Sequence, residues 1–140
     1  MAKKPQKQIF VDSSFFFALV SETDDFHERA LKYWEDFKFS NIFLVTSNYI
    51  IDELFTLIRS RRGLKTVQLM QQILAESSRF LRVRRTTIQD DLKAWNWFYN
   101  DWSNLSFTDC VSFAQMKRLG LNEVATFDNH FSRAGFKVVK

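Results

Sequence analysis

Four acidic residues occupy positions in the sequence where metal-ion chemistry is possible. Asp12 follows the apolar run QIFV, and Asp128 follows EVATF. Asp109 lies in SFTDCVSF, among residues typical of a protein core, and Glu53 lies in NYIIDELFTL. An ionised carboxylate beside apolar residues loses hydration, so it requires a cation or hydrogen-bond donors to balance its charge. These four acids are therefore the candidate chemical groups of the chain.

The spacing of apolar residues predicts the elements that position these acids. Short apolar runs rich in β-branched residues predict strands, and apolar residues three and four positions apart predict helices. The predicted strands span residues 8–11, 41–46, 80–83, 123–127 and 137–139. The predicted helices span about 25–37, 48–62, 64–77, 86–100 and 108–119. Their candidate N-terminal caps are Thr23 or Asp24, Ser47 or Asn48, Thr86 or Thr87, and Ser106 or Thr108.

The alternation of strands and helices predicts an α/β fold with three layers, in which helices flank a mainly parallel central sheet. Functional groups in such sheets gather at the carboxyl ends of the strands. Asp12 and Asp128 directly follow predicted strands, and Asp109 falls in the first turn of a predicted helix. Helix geometry places Glu53 beside the buried stripe and turns Asp52 about 100° away from it. We therefore expect the four acids to converge at one edge of the sheet.

Converging carboxylates repel one another, and their pKa values rise unless a cation lies among them. Oxygen ligands of this kind favour Mg²⁺ or Mn²⁺ over Zn²⁺. We expect Asp12, Glu53 and Asp109 to hold the principal metal, with Asp128 completing the cluster directly, through water or at a second metal. The chemistry predicted from this arrangement is metal-assisted attack of water on a phosphodiester. A cap, a turn or a solvated helix face explains any one of these acids, so the prediction depends on their joint placement.

Composition limits the classes of protein that fit. The 140 residues are 46% hydrophobic with only 3 Gly and 1 Pro, which is typical of one globular domain. We expect residues 1–7 to be a flexible tail and residues 8–140 to be a single domain. The single cysteine favours a reducing, cytoplasmic compartment. No apolar run reaches the roughly 18 residues of a membrane span, so no membrane partner is expected.

The net charge of +4 permits an anionic partner. Two basic clusters are candidates for contact with a phosphate backbone, or alternatively for solvated faces: Arg59, Arg61, Arg62 and Lys65, and Arg79, Arg82, Arg84 and Arg85. Three glycines provide no Gly-rich phosphate loop and no G-x-S-x-G elbow, which excludes P-loop enzymes and serine hydrolases of that type. A dehalogenase-type phosphatase requires a second aspartate where Ser14 stands.

Three segments resemble, in order and spacing, the motif blocks of PIN-domain nucleases, especially the VapC-type toxin branch. They are IFVDSSFFFAL, TSNYIIDELFTLI and SFTDCVSFAQMKRLGLNEVATFDNHFSRAGF, and the resemblance spans about residues 8–137. It implies a PIN-like fold and a divalent-metal-dependent endoribonuclease, acting as the toxin of a type II toxin–antitoxin pair. It also implies a homodimer and a small antitoxin that blocks the site.

By this resemblance, Asp12, Glu53, Asp109 and Asp128 align with the catalytic and metal-binding acids of the family, and Glu53 rather than Asp52 takes the motif position. Relatives often carry a further acid shortly before the last block, where this chain has Asn104. The alternative is a catalytically weak PIN-like module that binds RNA or protein.

Several neighbouring residues have open roles at this point. The hydroxyls of Ser13, Ser14 and Thr108 orient a carboxylate or water, or else form caps and turns. Three roles are open for His130: contact with a substrate phosphate, donation of a proton, or packing and a hydrogen bond within a turn. An aromatic-rich segment is a candidate for core, dimer face, antitoxin groove or base stacking, and comprises Trp95, Trp97, Phe98, Tyr99 and Trp102.

Overall fold

The structure is a computed structural model that describes residues 6–139. Its strands form one parallel sheet, with helices connecting them. Within those residues the strands are β1 (Lys7–Val11), β2 (Ile42–Ser47), β3 (Leu81–Arg84), β4 (Glu123–Ala125) and β5 (Lys137–Val138). The helices are α1 (Ser13–Val20), α2 (His27–Phe39), α3 (Asn48–Arg62), α4 (Leu64–Glu76), α5 (Ile88–Phe98), α6 (Phe107–Leu119) and α7 (His130–Arg133).

The order of strands across the sheet is β3-β2-β1-β4-β5, and every pairing is parallel. Phe10 of β1 pairs with Val45 of β2 on one side and with Val124 of β4 on the other. The chain therefore moves from β1 toward β3 and then reverses to β4 and β5. Because crossovers between parallel strands are right-handed, this reversal places helices on both faces of the sheet. The predicted three-layer α/β fold is confirmed.

The reversal of strand order between β1 and β4 also determines where the site forms. Connections from β1 and β4 leave in opposite directions, so a crevice opens outside the carboxyl ends of these two neighbouring strands. Asp12 immediately follows β1, and Asp128 lies shortly after β4. The sheet order alone therefore brings together two acids that are 116 positions apart in the sequence.

Phenylalanine dominates the core. Phe10 on β1 contacts Phe131 of α7, and Phe131 packs edge-on against Phe113 of α6 with ring centroids 4.9 Å apart. All three side chains are fully buried. Burial of each stabilises the fold by roughly 1.5–3 kcal/mol. These contacts fix α6 and α7, which carry residues of the site, to the centre of the sheet.

Two helices were not predicted from the sequence. All residues of α1 except Ser14 are buried, so the segment lacks the polar face that reveals a helical period. The second, α7, is only four residues long. The sequence also predicted strand 123–127, whereas β4 ends at Ala125. The prediction that Asp128 directly follows a strand is therefore wrong, because Thr126 and Phe127 form a turn between them.

For α3, α5 and α6, the observed N-cap is one of the two residues predicted for each helix. Ser47 begins α3 by accepting a hydrogen bond from Ile50 N at 3.1 Å. Thr87 and Ser106 each form a capping box, at the start of α5 and α6 respectively. Gly120 ends α6 in the left-handed region at φ 70°.

The cap predicted for α2 is wrong. Its N-cap is Phe26, and the carboxylate of Asp24 instead accepts a hydrogen bond from Phe26 N at 2.8 Å. Thr23 precedes this turn and makes no cap. The consequence is that Phe26 stands at the exposed start of α2, close to the site described below.

The ends of the chain are only partly described. Of the predicted tail, residues 1–5 lie outside the described residues, and Lys7 is the first residue of β1, paired with Ile42 of β2. Among residues 6–139, none of the helices combines the length and apolar character required to cross a bilayer.

Candidate active site

All four predicted acids line one cleft of about 480 Å³. Asp12 is the N-cap residue of α1, and Glu53 lies in α3. Asp109 lies in the first turn of α6, and Asp128 lies in the turn between β4 and α7. We call these four residues the acidic cluster. The expectation that they converge at the carboxyl edge of the sheet agrees with this geometry.

Asp12 is the most deeply buried member, with 2% of its surface exposed. Its Oδ2 accepts hydrogen bonds from the hydroxyls of Ser14 and Thr126, both at 2.8 Å. Its Oδ1 is buried and has no hydrogen-bond partner among residues 6–139. A buried carboxylate oxygen without a partner is costly, so Oδ1 is a position where a cation would be stabilised.

Because adjacent residues on a helix point in different directions, Glu53 lines the cleft and its neighbour Asp52 does not. The Ser13 hydroxyl donates a 2.6 Å hydrogen bond to Glu53 Oε2 and turns the carboxylate toward the cleft. Asp52 is exposed and does not line the cleft. Ser13 directly follows Asp12, so the start of α1 positions one acid and orients another.

Asp109 completes the capping box of α6. Its Oδ2 accepts a 3.1 Å hydrogen bond from Ser106 N, and the Ser106 hydroxyl accepts a 3.0 Å hydrogen bond from Asp109 N. The residue is 5% exposed, and the N-terminal end of the helix dipole favours the negative charge of its side chain. These contacts hold Asp109 in place without neutralising it.

Asp128 is held by its own turn. Its backbone N–H donates to the Thr126 hydroxyl at 3.0 Å, and its Oδ1 accepts a 2.9 Å hydrogen bond from His130 N. The His130 ring is buried beside it, with Nδ1 3.0 Å from Asp128 Oδ1 and 3.4 Å from Asp109 Oδ2. His130 therefore belongs to the site. In the sequence, the feature that indicated a role for His130 was its position two residues after Asp128.

The cluster accumulates negative charge that the protein does not balance. Burial, followed by the nearby charge of Asp12, raises the pKa of Asp109 to about 7, and the hydrogen bond from Ser106 N opposes this rise only in part. Burial also raises the pKa of Asp12 and of Glu53, against the opposing effect of their serine and threonine donors. Within the described residues, no lysine or arginine forms an ion pair with these three acids.

These observations fit a divalent cation. The donors are carboxylate oxygens, which suit Mg²⁺ and Mn²⁺. The raised pKa values report mutual repulsion and lost hydration, and a cation would relieve both. The residues able to hold it are those of the acidic cluster, with Asp12 Oδ1 as the oxygen left without a partner.

One wall of the cleft is aromatic. Phe26 and Phe127 line it and stack on each other, with ring centroids 4.6 Å apart and planes within 4°. Phe15 stacks on Phe127 from the core side at 5.7 Å. Sequence reasoning missed this stack, because Phe26 and Phe127 belong to segments distant in the sequence.

Two further residues line the cleft. Arg61, from the first predicted basic cluster, supplies positive charge near the acids. Asn104 adopts a positive φ of 62°, a conformation that asparagine tolerates better than most residues. Relatives often carry an additional acid at this position, whereas here the side chain that lines the cleft is an amide.

The family follows from comparison with known proteins. The family model described as PIN domain matches residues 9–137. The chain belongs to the PIN-domain family. Its sequence is 34% identical over 133 residues to the 23S rRNA-specific endonuclease VapC20 of Mycobacterium tuberculosis strains CDC 1551 / Oshkosh and H37Rv, covering 94% of this chain and 98% of the relative.

Solved structures agree with this assignment. The crystal structure of M. tuberculosis VapC20, described as a Sarcin-Ricin loop cleaving toxin, superimposes with a TM-score of 0.80 at 33% identity over 91% of this chain and 95% of that one. FitAcB from Neisseria gonorrhoeae shares the fold with a TM-score of 0.65 at 16% identity, covering 94% and 96%. The predicted membership of the PIN-domain family, VapC-type branch, is confirmed.

Proposed function

We propose that this chain is a divalent-metal-dependent endoribonuclease that hydrolyses RNA phosphodiester bonds. The observation that carries the proposal is the convergence of the acidic cluster on one cleft, with a buried oxygen of Asp12 left without a partner. The similarity to relatives named 23S rRNA-specific endonuclease supports RNA as the substrate class. Ribosomal RNA containing the sarcin–ricin loop is therefore the first substrate to test.

The metal-binding residues in this proposal are Asp12, Glu53 and Asp109, with Asp128 at the edge of the same site. When bound, a divalent cation supplies a Lewis acid that lowers the pKa of an attacking water and stabilises charge on phosphate oxygens. The chain's contribution is to hold the ligands in place. Ser14 and Thr126 donate hydrogen bonds to Asp12 Oδ2 and leave Oδ1, which has no partner among residues 6–139, as the oxygen that would bind the cation.

Cleavage of a labelled RNA pool tests the proposal. The purified protein, freed of any small protein that accompanies it, is assayed in Mg²⁺, in Mn²⁺ and in EDTA. We expect cleavage in either metal and none in EDTA. Cleavage that persists in EDTA, or no cleavage in any metal, would contradict the proposal. The second of these results, combined with retained RNA binding, would favour the alternative of a catalytically weak RNA-binding module.

The Phe15–Phe127–Phe26 stack supports a role in RNA binding, because its last ring stands at the exposed edge of the cleft. The guanidinium of Arg29 lies 5.7 Å from the Phe26 centroid and 5.6 Å from that of Phe127. Arg29 is thus about equally distant from both rings, and 37% of Phe26 remains exposed. A nucleobase next to the cleaved phosphate would extend this stack.

We predict that Phe26→Leu raises KM for RNA about tenfold while kcat changes little, because stacking contributes roughly 1–3 kcal/mol per base. Phe26→Trp should retain a KM near that of the wild type. Steady-state cleavage of one defined RNA measures both constants. Phe39→Leu, an exposed phenylalanine at the other end of α2, is the matched control. An unchanged KM in Phe26→Leu would remove Phe26 from the RNA-binding surface.

We further propose that the chain is a homodimer, with α5 at the interface. Asp90 and Ala94 of α5 face the protein, and Asp90 forms a bidentate ion pair with Arg118 of α6 at 2.9 and 3.0 Å. The opposite face carries an apolar stripe with a four-, three- and four-residue spacing: Ile88, Leu92, Trp95 and Tyr99. Trp97 and Trp102 instead pack against the core. A stripe on one helix packs against its own copy across a twofold axis.

We predict that Leu92→Asp converts the dimer to a monomer at micromolar concentration, since it places a charge in an apolar interface. Sedimentation velocity measures the molecular mass. Leu64→Asp is the control, because Leu64 on α4 is as exposed as Leu92, at 58%. Equal masses for Leu92→Asp and the wild type would place any dimer interface elsewhere.

The partners and location we propose follow from the same family assignment. The VapC20 relative is described as a toxin, and we propose that this chain is likewise a toxin held inactive by a small antitoxin protein. The buried free thiol of Cys110 agrees with action in the reducing cytoplasm. We propose that residues 8–140 act as one domain, since the family match runs from 9 to 137.

A further inference from the structure

His130 is a buried side chain whose Nδ1 lacks a hydrogen-bond partner within the described chain. The side chain is 7% exposed, and its ring stacks over Trp102 with planes within 14°. Nδ1 lies near Asp128 Oδ1 and Asp109 Oδ2, but neither oxygen lies along the hydrogen-bond direction of this nitrogen. A polar atom this deeply buried is normally satisfied, so its surroundings require an explanation.

The other ring nitrogen determines what Nδ1 presents to the two acids. Nε2 lies 2.8 Å from the backbone carbonyl oxygen of Ser103. Since a carbonyl only accepts hydrogen bonds, Nε2 carries the proton. In the neutral imidazole, Nδ1 then carries a lone pair and no proton, 3.0 Å from Asp128 Oδ1 and 3.4 Å from Asp109 Oδ2. A ring N–H donated to a backbone carbonyl is the usual arrangement for a histidine that binds a metal through its other nitrogen.

Three electron-pair donors therefore face one small space. One atom each of Asp109, Asp128 and His130 lies within 4.8 Å of the other two. Ligands about 2.0–2.3 Å from one cation are separated by distances in this range. A proton on Nδ1 would instead make an imidazolium, but the 3.0 Å approach to Asp128 lacks the alignment of a hydrogen bond.

We infer that His130 is a nitrogen ligand to a divalent cation, at a position formed with Asp109 and Asp128. This inference rests on the proposed metal-dependent function, and it adds an imidazole to the four carboxylates of the acidic cluster. Imidazole favours transition metals over Mg²⁺, so this position takes a transition-metal ion in preference to Mg²⁺. Ser103 acts as a positioning residue, because its carbonyl fixes the orientation of the ring.

Pulsed electron paramagnetic resonance of bound Mn²⁺ tests the inference without an activity assay. The full chain is prepared without a polyhistidine tag, since it contains only two histidines. A nitrogen bound directly to Mn²⁺ modulates the electron spin echo, and labelling histidine with ¹⁵N identifies the source. His27→Gln is the matched control, because His27 lies on α2 and its Nδ1 is 2.7 Å from the Ala18 carbonyl oxygen.

The wild type and His27→Gln should show modulation that changes with ¹⁵N-histidine, and His130→Gln should lose it. The dissociation constant of Mn²⁺ at one site should rise about tenfold or more in His130→Gln, and that of Mg²⁺ should rise less. Mn²⁺ bound to the wild type without histidine modulation would overturn the inference and leave the proposed nuclease intact. Because that result is obtained with the wild type alone, it does not depend on whether any variant folds. Failure of the wild type to bind Mn²⁺ at all would overturn the inference and the proposed function together.

Discussion

Asp109→Asn is expected to lower metal-dependent RNA cleavage by about 10³-fold, because a catalytic metal contributes several kcal/mol and each 1.4 kcal/mol is a factor of ten. The substitution removes the negative charge that a cation would bind and keeps the size of the side chain. Its amide oxygen still accepts the hydrogen bond from Ser106 N that completes the α6 cap. Single-turnover cleavage of one labelled RNA at saturating enzyme measures the loss.

The matched control is Asp52→Asn, which removes one carboxylate from α3 on the exposed face next to Glu53. It should cleave RNA at the wild-type rate, and Glu53→Gln should be impaired. Wild-type cleavage by Asp109→Asn would expose a contaminating nuclease or remove Asp109 from the metal site. A comparable loss in Asp52→Asn would indicate a general effect of charge on RNA binding.

Local rules account for much of what the sequence predicted. Helical phase distinguishes Glu53 from Asp52, because adjacent residues on a helix point about 100° apart. The capping box Ser106–Asp109 is readable from a spacing of three residues. The parallel sheet follows from strand–helix alternation, and the sheet in turn predicts that Asp12 and Asp128 meet. Each of these inferences needs only neighbouring residues or the order of elements.

The missed features depend on contacts through space or on segments without a polar face. Helix α1 is buried almost all round, so its sequence carries no periodic signal. The stack of Phe26 on Phe127 joins the start of α2 to the turn after β4, which no spacing rule connects. The carbonyl of Ser103 fixes the ring of His130 across 27 positions. The sequence therefore predicted the acids and the neighbours adjacent to them in the chain, such as Ser13 and Ser14, whereas the contacts between distant segments came from the structure.

The metal-free protein is expected to become less stable as the pH rises from about 4 to 8. Burial raises the pKa of folded Asp109 from the ordinary value of 3.8 to about 7, so between these values the folded state binds more protons than the unfolded state. The free energy of unfolding therefore falls with increasing pH. Since one pKa unit corresponds to about 1.4 kcal/mol, the loss is on the order of 4 kcal/mol. The raised pKa values of Asp12 and Glu53 act in the same direction.

Thermal unfolding in a chelator at several pH values measures this effect, and a loss of about 4 kcal/mol corresponds to roughly 12 °C in Tm. Asp109→Asn should flatten the dependence and unfold at a higher temperature than the wild type at pH 8. Asp90 does not contribute to the change in stability between pH 4 and 8. Its pKa is lowered by Arg118, so its stabilising contribution is lost only below about pH 4.

Adding Mn²⁺ at pH 8 should restore the stability of the wild type and have little effect on Asp109→Asn, because a ligand that binds only the folded state stabilises it. The same substitution would thus stabilise the metal-free protein and sharply lower metal-dependent RNA cleavage. A structural carboxylate would behave in the opposite way, since its removal would destabilise the protein at pH 8. Stability that increases from pH 4 to 8 in the wild type would mean that the acidic cluster is balanced by the protein itself, and the physical argument for a metal at this site would fail.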